Sequence, residues 1–149
     1  MTPKHILWPT DFFESDRAAL AVAGDVARAW HGEIVVFHVI GDVAEEVYGE
    51  KTLEGKDRAA WALWKIGKEK AETRLGEIVR ETLPGFDRYR VVTTFGDPTK
   101  RILEAVAEQA IDLVVLAARR EKSLLREMLL GSVAYKVVRT APCSVLLVK

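Results

Sequence analysis

Hydrophobic and polar residues follow two different rhythms along this chain of 149 residues. Short and nearly continuous apolar runs predict strands that are covered on both faces, as in a parallel sheet. Longer stretches with apolar residues at helical spacing predict amphipathic helices. The predicted strands are 6–9, 32–40, 88–96, 112–118 and 144–149, and the predicted helices are 15–30, 57–83, 97–110 and 132–141.

The regular alternation of strands and helices is typical of a parallel sheet with helices on both faces. We therefore expect one doubly wound α/β domain over residues 1–149, with a five-stranded parallel sheet. Ser15 is a candidate cap for the first helix, and Asp97 followed by Pro98 is a strong start signal for the third. Pro142 is expected to end the last helix.

Charge and composition narrow the classes of partner. Lys plus Arg and Asp plus Glu both number 22, so the net charge is zero and we expect neither nucleic acid nor a membrane surface as a partner. The chain opens on a strand-like segment, and its apolar runs are shorter than a membrane span of ~20 residues. A cytoplasmic protein is therefore expected. Cys143, the single cysteine, precedes an apolar strand and is expected to be a buried, inert thiol.

A ligand site is expected beyond the carboxyl ends of the strands, where ligands bind in open sheets of this class. If the first and fourth strands are neighbours, Asp11 and the loop that begins at Ala117 face the same crevice. Gly131 and Ser132 would add backbone N–H groups at a helix start, where the helix dipole favours an anion.

Three segments carry a resemblance to a known family: ILWPTDFFESDRAALAVAGDVARAWHGEIVVFHVI at 6–40, GDPTKRILEAVAEQAIDLVVL at 96–116 and LLGSVAYKVVRTAPCSVLLV at 129–148. They resemble the universal stress protein family over nearly the whole chain, and the last segment is the most specific. The resemblance implies a Rossmann-like fold of the adenine nucleotide alpha hydrolase-like type. It also implies a homodimer that forms through the C-terminal strand, Ser144 to Lys149.

The resemblance also implies a set of nucleotide-binding residues. In nucleotide-binding members, adenine lies between the residues that match Pro9 to Asp11 and the backbone at Val39 and Ile40, and the phosphates lie against a Gly-x-x-Gly loop and a helix start. The matching positions outside the loop are Pro9, Thr10, Asp11, Val39, Ile40, Gly131, Ser132 and Val133.

The chain departs from this pattern at the loop itself. Aligned on the fourth strand, the glycine positions hold Ala117 and Arg120, whereas counting back from Gly131 they hold Ala118 and Glu121. Glycine adopts positive φ without penalty and lets the backbone approach a phosphate. We therefore expect no bound cofactor, and no ATP in the usual pose.

The alternative is ATP with Mg²⁺ in a shifted pose. Arg119, Arg120, Lys122 and Arg126 form a basic cluster, and arginine pairs well with phosphate. If ATP binds in this way, the protein is a nucleotide-binding switch. If no nucleotide binds, it is a regulatory or protective protein of the stress response.

Enzyme chemistry is not expected. Ser132, His38 and Asp11 lack the G-x-S-x-G context of a hydrolase, and His38 in its apolar strand is expected to be a hydrogen-bonded structural residue. The histidines are too few and too scattered for a metal site. The apolar helix start around Trp61 is a candidate surface for an unidentified protein partner.

Overall fold

The computed structural model describes residues 2–40, 58–118 and 131–149, and within 58–63 the backbone alone. These residues form five strands and four helices. In chain order they are β1 (His5–Pro9), α1 (Glu14–Trp30), β2 (Glu33–Ile40), α2 (Arg58–Thr82), β3 (Tyr89–Phe95), α3 (Pro98–Glu108), β4 (Leu113–Ala117), α4 (Ser132–Thr140) and β5 (Ser144–Val148). The predicted elements are confirmed, with ends that differ by one or two residues.

The strands form one parallel sheet in the order β3-β2-β1-β4-β5. β1 pairs with β2 on one side, where His5 lies opposite Glu33, and with β4 on the other, where Ile6 lies opposite Leu113. The predicted doubly wound α/β fold is therefore confirmed. The strand order reverses at β1, so the crevice expected for a ligand lies between β1 and β4.

Two helices cover each face of the sheet. Since strand side chains alternate between the faces, each strand contributes to the core on both sides. Ile6 and Trp8 of β1 pack with Leu20 of α1 in a cluster that also includes α2. Leu7, which points to the opposite face, packs in a second cluster with α3 and α4, including Val137. All five side chains are buried, so β1 is covered on both faces.

Of the two predicted helix N-caps, one is confirmed and the other is wrong. Asp97 caps α3 as predicted, since its carboxylate accepts a hydrogen bond from the Lys100 backbone N–H at 2.8 Å, and Pro98 is the first helical residue. The prediction that Ser15 caps α1 is wrong. The helix begins at Glu14, so Ser15 lies inside the first turn, and the N-cap Phe13 makes no side-chain cap bond.

Candidate functional site

A cleft lies at the carboxyl ends of β1, β2 and β4 and is closed on one side by the start of α4. It is at the point of strand-order reversal, where the sequence predicts a ligand site. The predicted site residues that line it are Pro9, Thr10, Asp11, Val39, Ala117, Gly131, Ser132 and Val133.

Other predicted site residues lie elsewhere. Ile40 and Ala118 are outside the cleft lining, and both extend the sheet: the Ile40 carbonyl accepts from the Gly96 N–H at 3.3 Å, and the Ala118 N–H donates to the Val148 carbonyl at 2.7 Å. Arg120, with the rest of the basic cluster, lies outside the described residues.

The sequence prediction missed several residues that line the cleft. They are Asp16, Phe37, Pro98, Ile102, Leu116 and Ala134. Most of them are apolar core residues. The polar or small residues that predict a ligand site lie next to them in the sequence. Asp16 is different, because an acidic residue near a helix start is usually exposed.

The turn after β1 is organised by the Asp16 carboxylate. This side chain accepts a hydrogen bond from the Thr10 hydroxyl at 2.7 Å and another from the Asp11 N–H at 3.0 Å. The Thr10 hydroxyl in turn accepts from the Phe12 N–H at 3.0 Å. The indole N–H of Trp8 donates to the Asp16 carbonyl at 3.0 Å, which ties the turn to the core.

Phe12 lies in the left-handed region with φ 64°, which is uncommon for a residue other than glycine. Its ring packs edge-on against His38, with ring centroids 4.6 Å apart. The hydrogen bond from its N–H to Thr10 holds the backbone in this conformation. The turn is therefore fixed by side chains, without a glycine.

His38 is a structural residue, as predicted. Its Nδ1 lies 2.8 Å from the Thr10 carbonyl oxygen, and since a carbonyl only accepts, Nδ1 carries the proton and donates. The same nitrogen is 4.0 Å from Asp11 Oδ1. His38 thus links the ends of β1 and β2 at the back of the turn.

Gly131 starts α4 in a backbone conformation that requires glycine. Its φ of 67° with ψ of 152° lies in a region that side-chain-bearing residues essentially never adopt. Its carbonyl accepts the N–H of Tyr135, which begins the helical hydrogen bonding. Ser132 and Val133 line the cleft. Their N–H groups are among the first of the helix and have no intrahelical acceptor, so they are candidate donors to a ligand.

The cleft is electrostatically polarised. Asp11 and Asp16 lie on its β1 side, and the positive end of the α4 dipole lies on the other. Among the described lining residues there is no Lys, Arg or His. The donors that the described part of the cleft offers to an anion are therefore uncharged: backbone N–H groups and the hydroxyl of Ser132.

The model of the universal stress protein family matches residues 2–149. The chain belongs to this family. A universal stress protein of Thermus aquaticus is 30% identical over 149 residues, which are 98% of this chain and 98% of that relative. A universal stress protein of Methanothermobacter thermautotrophicus is 41% identical over 61 residues, covering 41% of this chain and 40% of that protein.

Solved structures of universal stress proteins share the fold of this chain. The structure of MJ0577 superposes with a TM-score of 0.76 at 25% identity, covering 100% of this chain and 97% of that one. The universal stress protein of Archaeoglobus fulgidus in complex with dAMP superposes with a TM-score of 0.65 at 18% identity, covering 100% of both chains.

Within 2–40, 58–118 and 131–149, no group of His, Cys, Asp and Glu is placed to hold a metal ion, and no helix is long and apolar enough to cross a membrane. Cys143 is partly rather than fully buried, and that burial raises the pKa of its thiol. The side chain of Trp61 lies outside the description.

Proposed function

We propose that this universal stress protein is a cytoplasmic regulatory binding protein with no chemistry of its own. Its cleft takes the base and one phosphate of an adenine nucleoside monophosphate, and it does not hold Mg·ATP with the triphosphate on a glycine loop. The observation that carries this proposal is the start of α4, where Gly131, Ser132 and Val133 line the cleft and the first N–H groups of the helix have no intrahelical acceptor.

The α4 start supports binding of a single phosphate. A helix N-terminus combines unpaired N–H donors with the positive end of the dipole, which together favour an anion. The Ser132 hydroxyl adds a further donor at the same place.

The end of β4 argues against a triphosphate in the usual pose. In a phosphate loop, the backbone N–H groups that follow the strand face the nucleotide. Here the Ala118 N–H donates to Val148 and belongs to the β4–β5 pairing. Neither Ala117 nor Ala118 offers the positive φ and the missing Cβ that a close approach of phosphate needs.

The same geometry supports a binding role without catalysis. Phosphoryl transfer needs a positioned base and a cradle for the transferred group. His38 donates to Thr10, and the Asp16 carboxylate is engaged by Thr10 and Asp11. Both side chains are thus committed to holding the turn.

The ligand class is carried over from relatives. Solved structures of universal stress proteins include complexes with cAMP and with dAMP, and each of these molecules carries one phosphate. An adenine nucleoside monophosphate matches a cleft whose described donors lie at one helix start.

The test is calorimetric titration of the full chain with AMP. Ser132→Pro removes one N–H at the first helical position, where proline is tolerated, and Ser132→Ala keeps that N–H as the matched control. We expect the proline variant to lose about tenfold or more in AMP affinity, the value of a hydrogen bond to a charged group, and the alanine variant to lose less. Absence of AMP binding at millimolar concentration, or equal affinity in both variants, would overturn the proposal.

A second candidate is the ATP-binding switch with an arginine-assisted phosphate site. The sequence favours it because Arg119, Arg120, Lys122 and Arg126 follow β4 directly. It predicts that ATP with Mg²⁺ binds much more tightly than AMP, and that Arg119→Ala with Arg120→Ala removes the difference. Equal affinity for ATP and AMP would dispose of it.

We also propose a homodimer through β5. This strand is at the edge of the sheet and pairs with β4 alone among the described strands. Leu146 of β5 is an exposed large apolar side chain. An apolar edge strand of this kind is stabilised by pairing with a second edge.

A further inference from the structure

The turn between β1 and α1 separates the cleft from a second cavity on the opposite face of the sheet. Thr10 and Asp16 line both spaces. The second cavity lies towards α1 and α2, and its other lining residues include Trp8, Phe12, Phe13, Arg17, Arg74 and Ile78. Because there is open space on both sides of the turn, close packing fixes its position less than it fixes the core. The turn therefore depends on its hydrogen bonds.

Asp16 is the acceptor on which these hydrogen bonds converge. Its Oδ2 accepts from the Thr10 hydroxyl at 2.7 Å and from the Asp11 N–H at 3.0 Å. Because the Thr10 hydroxyl directs its proton to Asp16, its lone pairs are available to the Phe12 N–H, which donates at 3.0 Å. One carboxylate oxygen thus fixes three consecutive residues, the last of them Phe12 in its left-handed conformation.

Asp16 is itself held in place by the body of the protein. Its side chain is buried, and its backbone carbonyl accepts the indole N–H of Trp8, a core residue, at 3.0 Å. The next residue, Arg17, forms an ion pair with Glu81 of α2 at 3.0 Å. The first turn of α1 is therefore a fixed support from which the Asp16 carboxylate reaches back to the preceding turn.

The hydrogen bonds of the Asp16 side chain serve the turn and not the helix. An acid in the first turn of a helix ordinarily stays exposed and stabilises the helix through the dipole. Burial of a carboxylate costs free energy unless hydrogen bonds replace the lost water. Within the described residues, both side-chain hydrogen bonds of Asp16 go to residues that precede α1, whose N-cap has no side-chain cap bond.

We propose that Asp16 is a positioning residue of the cleft. It holds the turn from Thr10 to Phe12 in the binding conformation before a ligand arrives, so that binding does not have to order the turn. The inference rests on the proposed function, the binding of a nucleoside monophosphate in this cleft. Apparent affinity falls in proportion to the fraction of molecules that is ready to bind. Loss of the Asp16 carboxylate therefore weakens binding even though this side chain need not touch the ligand.

The experiment is calorimetric titration of AMP into the full chain and its variants, each at a temperature where urea unfolding shows it to be folded. Asp16→Ala should bind AMP about tenfold more weakly, because the Thr10 hydroxyl and the Asp11 N–H lose their buried acceptor. Asp16→Asn keeps an oxygen for both donors and should recover most of the affinity. Asp25→Ala, on the same helix and 80% exposed, is the matched control and should bind like the wild type.

A double-mutant cycle with Thr10→Val distinguishes positioning from a general loss of stability. Valine keeps the shape of threonine but cannot donate to Asp16. If Asp16 acts through Thr10, the double variant should bind AMP about as well as Asp16→Ala alone, since both substitutions break the same link. Losses that multiply in the double variant would refute the proposal, as would an Asp16→Asn variant that binds no better than Asp16→Ala.

Amide hydrogen exchange of the ligand-free wild type tests the proposal without any variant. The Asp11 and Phe12 N–H groups should exchange slowly, because the turn is already formed. Exchange of both at the rate of an unprotected amide would overturn the proposal. If the wild type does not bind AMP, the proposed function fails and this inference fails with it. If AMP binds with equal affinity to the wild type and Asp16→Ala, the role of Asp16 alone is refuted.

Discussion

At the scale of single residues, Gly131 determines whether α4 can start against the cleft. Its backbone has a positive φ with an extended ψ, and the two residues that follow line the cleft. Gly-Ser at this position is visible in the sequence, and its role at a helix start could be predicted. The conformation itself could not, because a glycine in the sequence does not specify which of its many allowed backbone conformations it adopts.

Gly131→Ala should destabilise the protein by about 1–3 kcal/mol, the usual cost of holding a non-glycine residue in such a region. Urea unfolding of the full chain measures this change. The matched control is Gly67→Ala, where an added Cβ meets nothing within 4 Å inside α2. That substitution should stabilise by about 0.5–1 kcal/mol, as alanine does in a helix. Equal effects of the two substitutions would contradict this account of Gly131.

Asp112 makes stability depend on pH at the other end of the sheet. The backbone N–H groups of His5 and Lys4 each donate to its Oδ2 at 2.9 Å, and they hold the pKa of Asp112 below its ordinary value. A lowered pKa means that the folded state favours the charged form. Its stabilisation is therefore present above the unfolded pKa of about 3.9 and is lost as pH falls through the folded value.

The difference in unfolding free energy between wild type and Asp112→Asn should be constant above about pH 5 and shrink as the pH falls below about 4. Urea titrations across this range measure it. Asp87→Asn, at another exposed aspartate, serves as control and should leave the pH dependence of the unfolding free energy as it is in the wild type. A difference that persists unchanged at low pH would refute the role given to Asp112.

At the scale of elements, the helix starts show which local signals predict structure. Asp97 and Pro98 lie next to each other in sequence and act on the same turn, so the cap of α3 could be predicted. The start of α1 could not, because Asp16 turns inward to bind Thr10 and Asp11 of the preceding turn. An acidic stretch such as Glu14 to Asp16 gives no sign of which carboxylate becomes buried.

Asp97→Ala should therefore lower stability by about 1 kcal/mol, since the Lys100 N–H loses its acceptor. Asp97→Asn keeps an oxygen in the same place and should recover most of the loss. Thermal or urea unfolding of both variants checks this. Identical losses in the two variants would show that charge, and not the cap bond, is what stabilises the start of α3.

At the scale of the whole molecule, the alternation of apolar strands and amphipathic helices predicted the fold because both faces of a parallel sheet must be covered. Strand order, and with it the position of the cleft, depended on β1 and β4 being neighbours, which periodicity does not determine. The lining residues Phe37 and Leu116 were missed for a related reason. In a strand that is buried on both faces, the apolar sequence does not show which of the buried residues lines a cleft.

The β5 edge gives the prediction for assembly. Leu146→Lys places a charge on this strand, whose Leu146 side chain is 37% exposed, and should convert a dimer into a monomer. Light scattering after size exclusion measures the mass. Ile66→Lys, at a side chain 49% exposed on α2, is the control and should leave the mass unchanged. A monomeric wild type, or a dimer that tolerates the charge on β5, would refute this interface.

The central claim is that the cleft holds a base and one phosphate, with no further contribution from the β- and γ-phosphates. Thermal unfolding of the full chain, alone and with millimolar AMP or ATP with Mg²⁺, tests it most directly. A ligand at a hundred times its Kd stabilises by about 2.7 kcal/mol, which for a domain of this size raises Tm by about 5–10 °C. We predict equal upward shifts for the two nucleotides. A much larger shift with ATP, or no shift with either, would contradict the account.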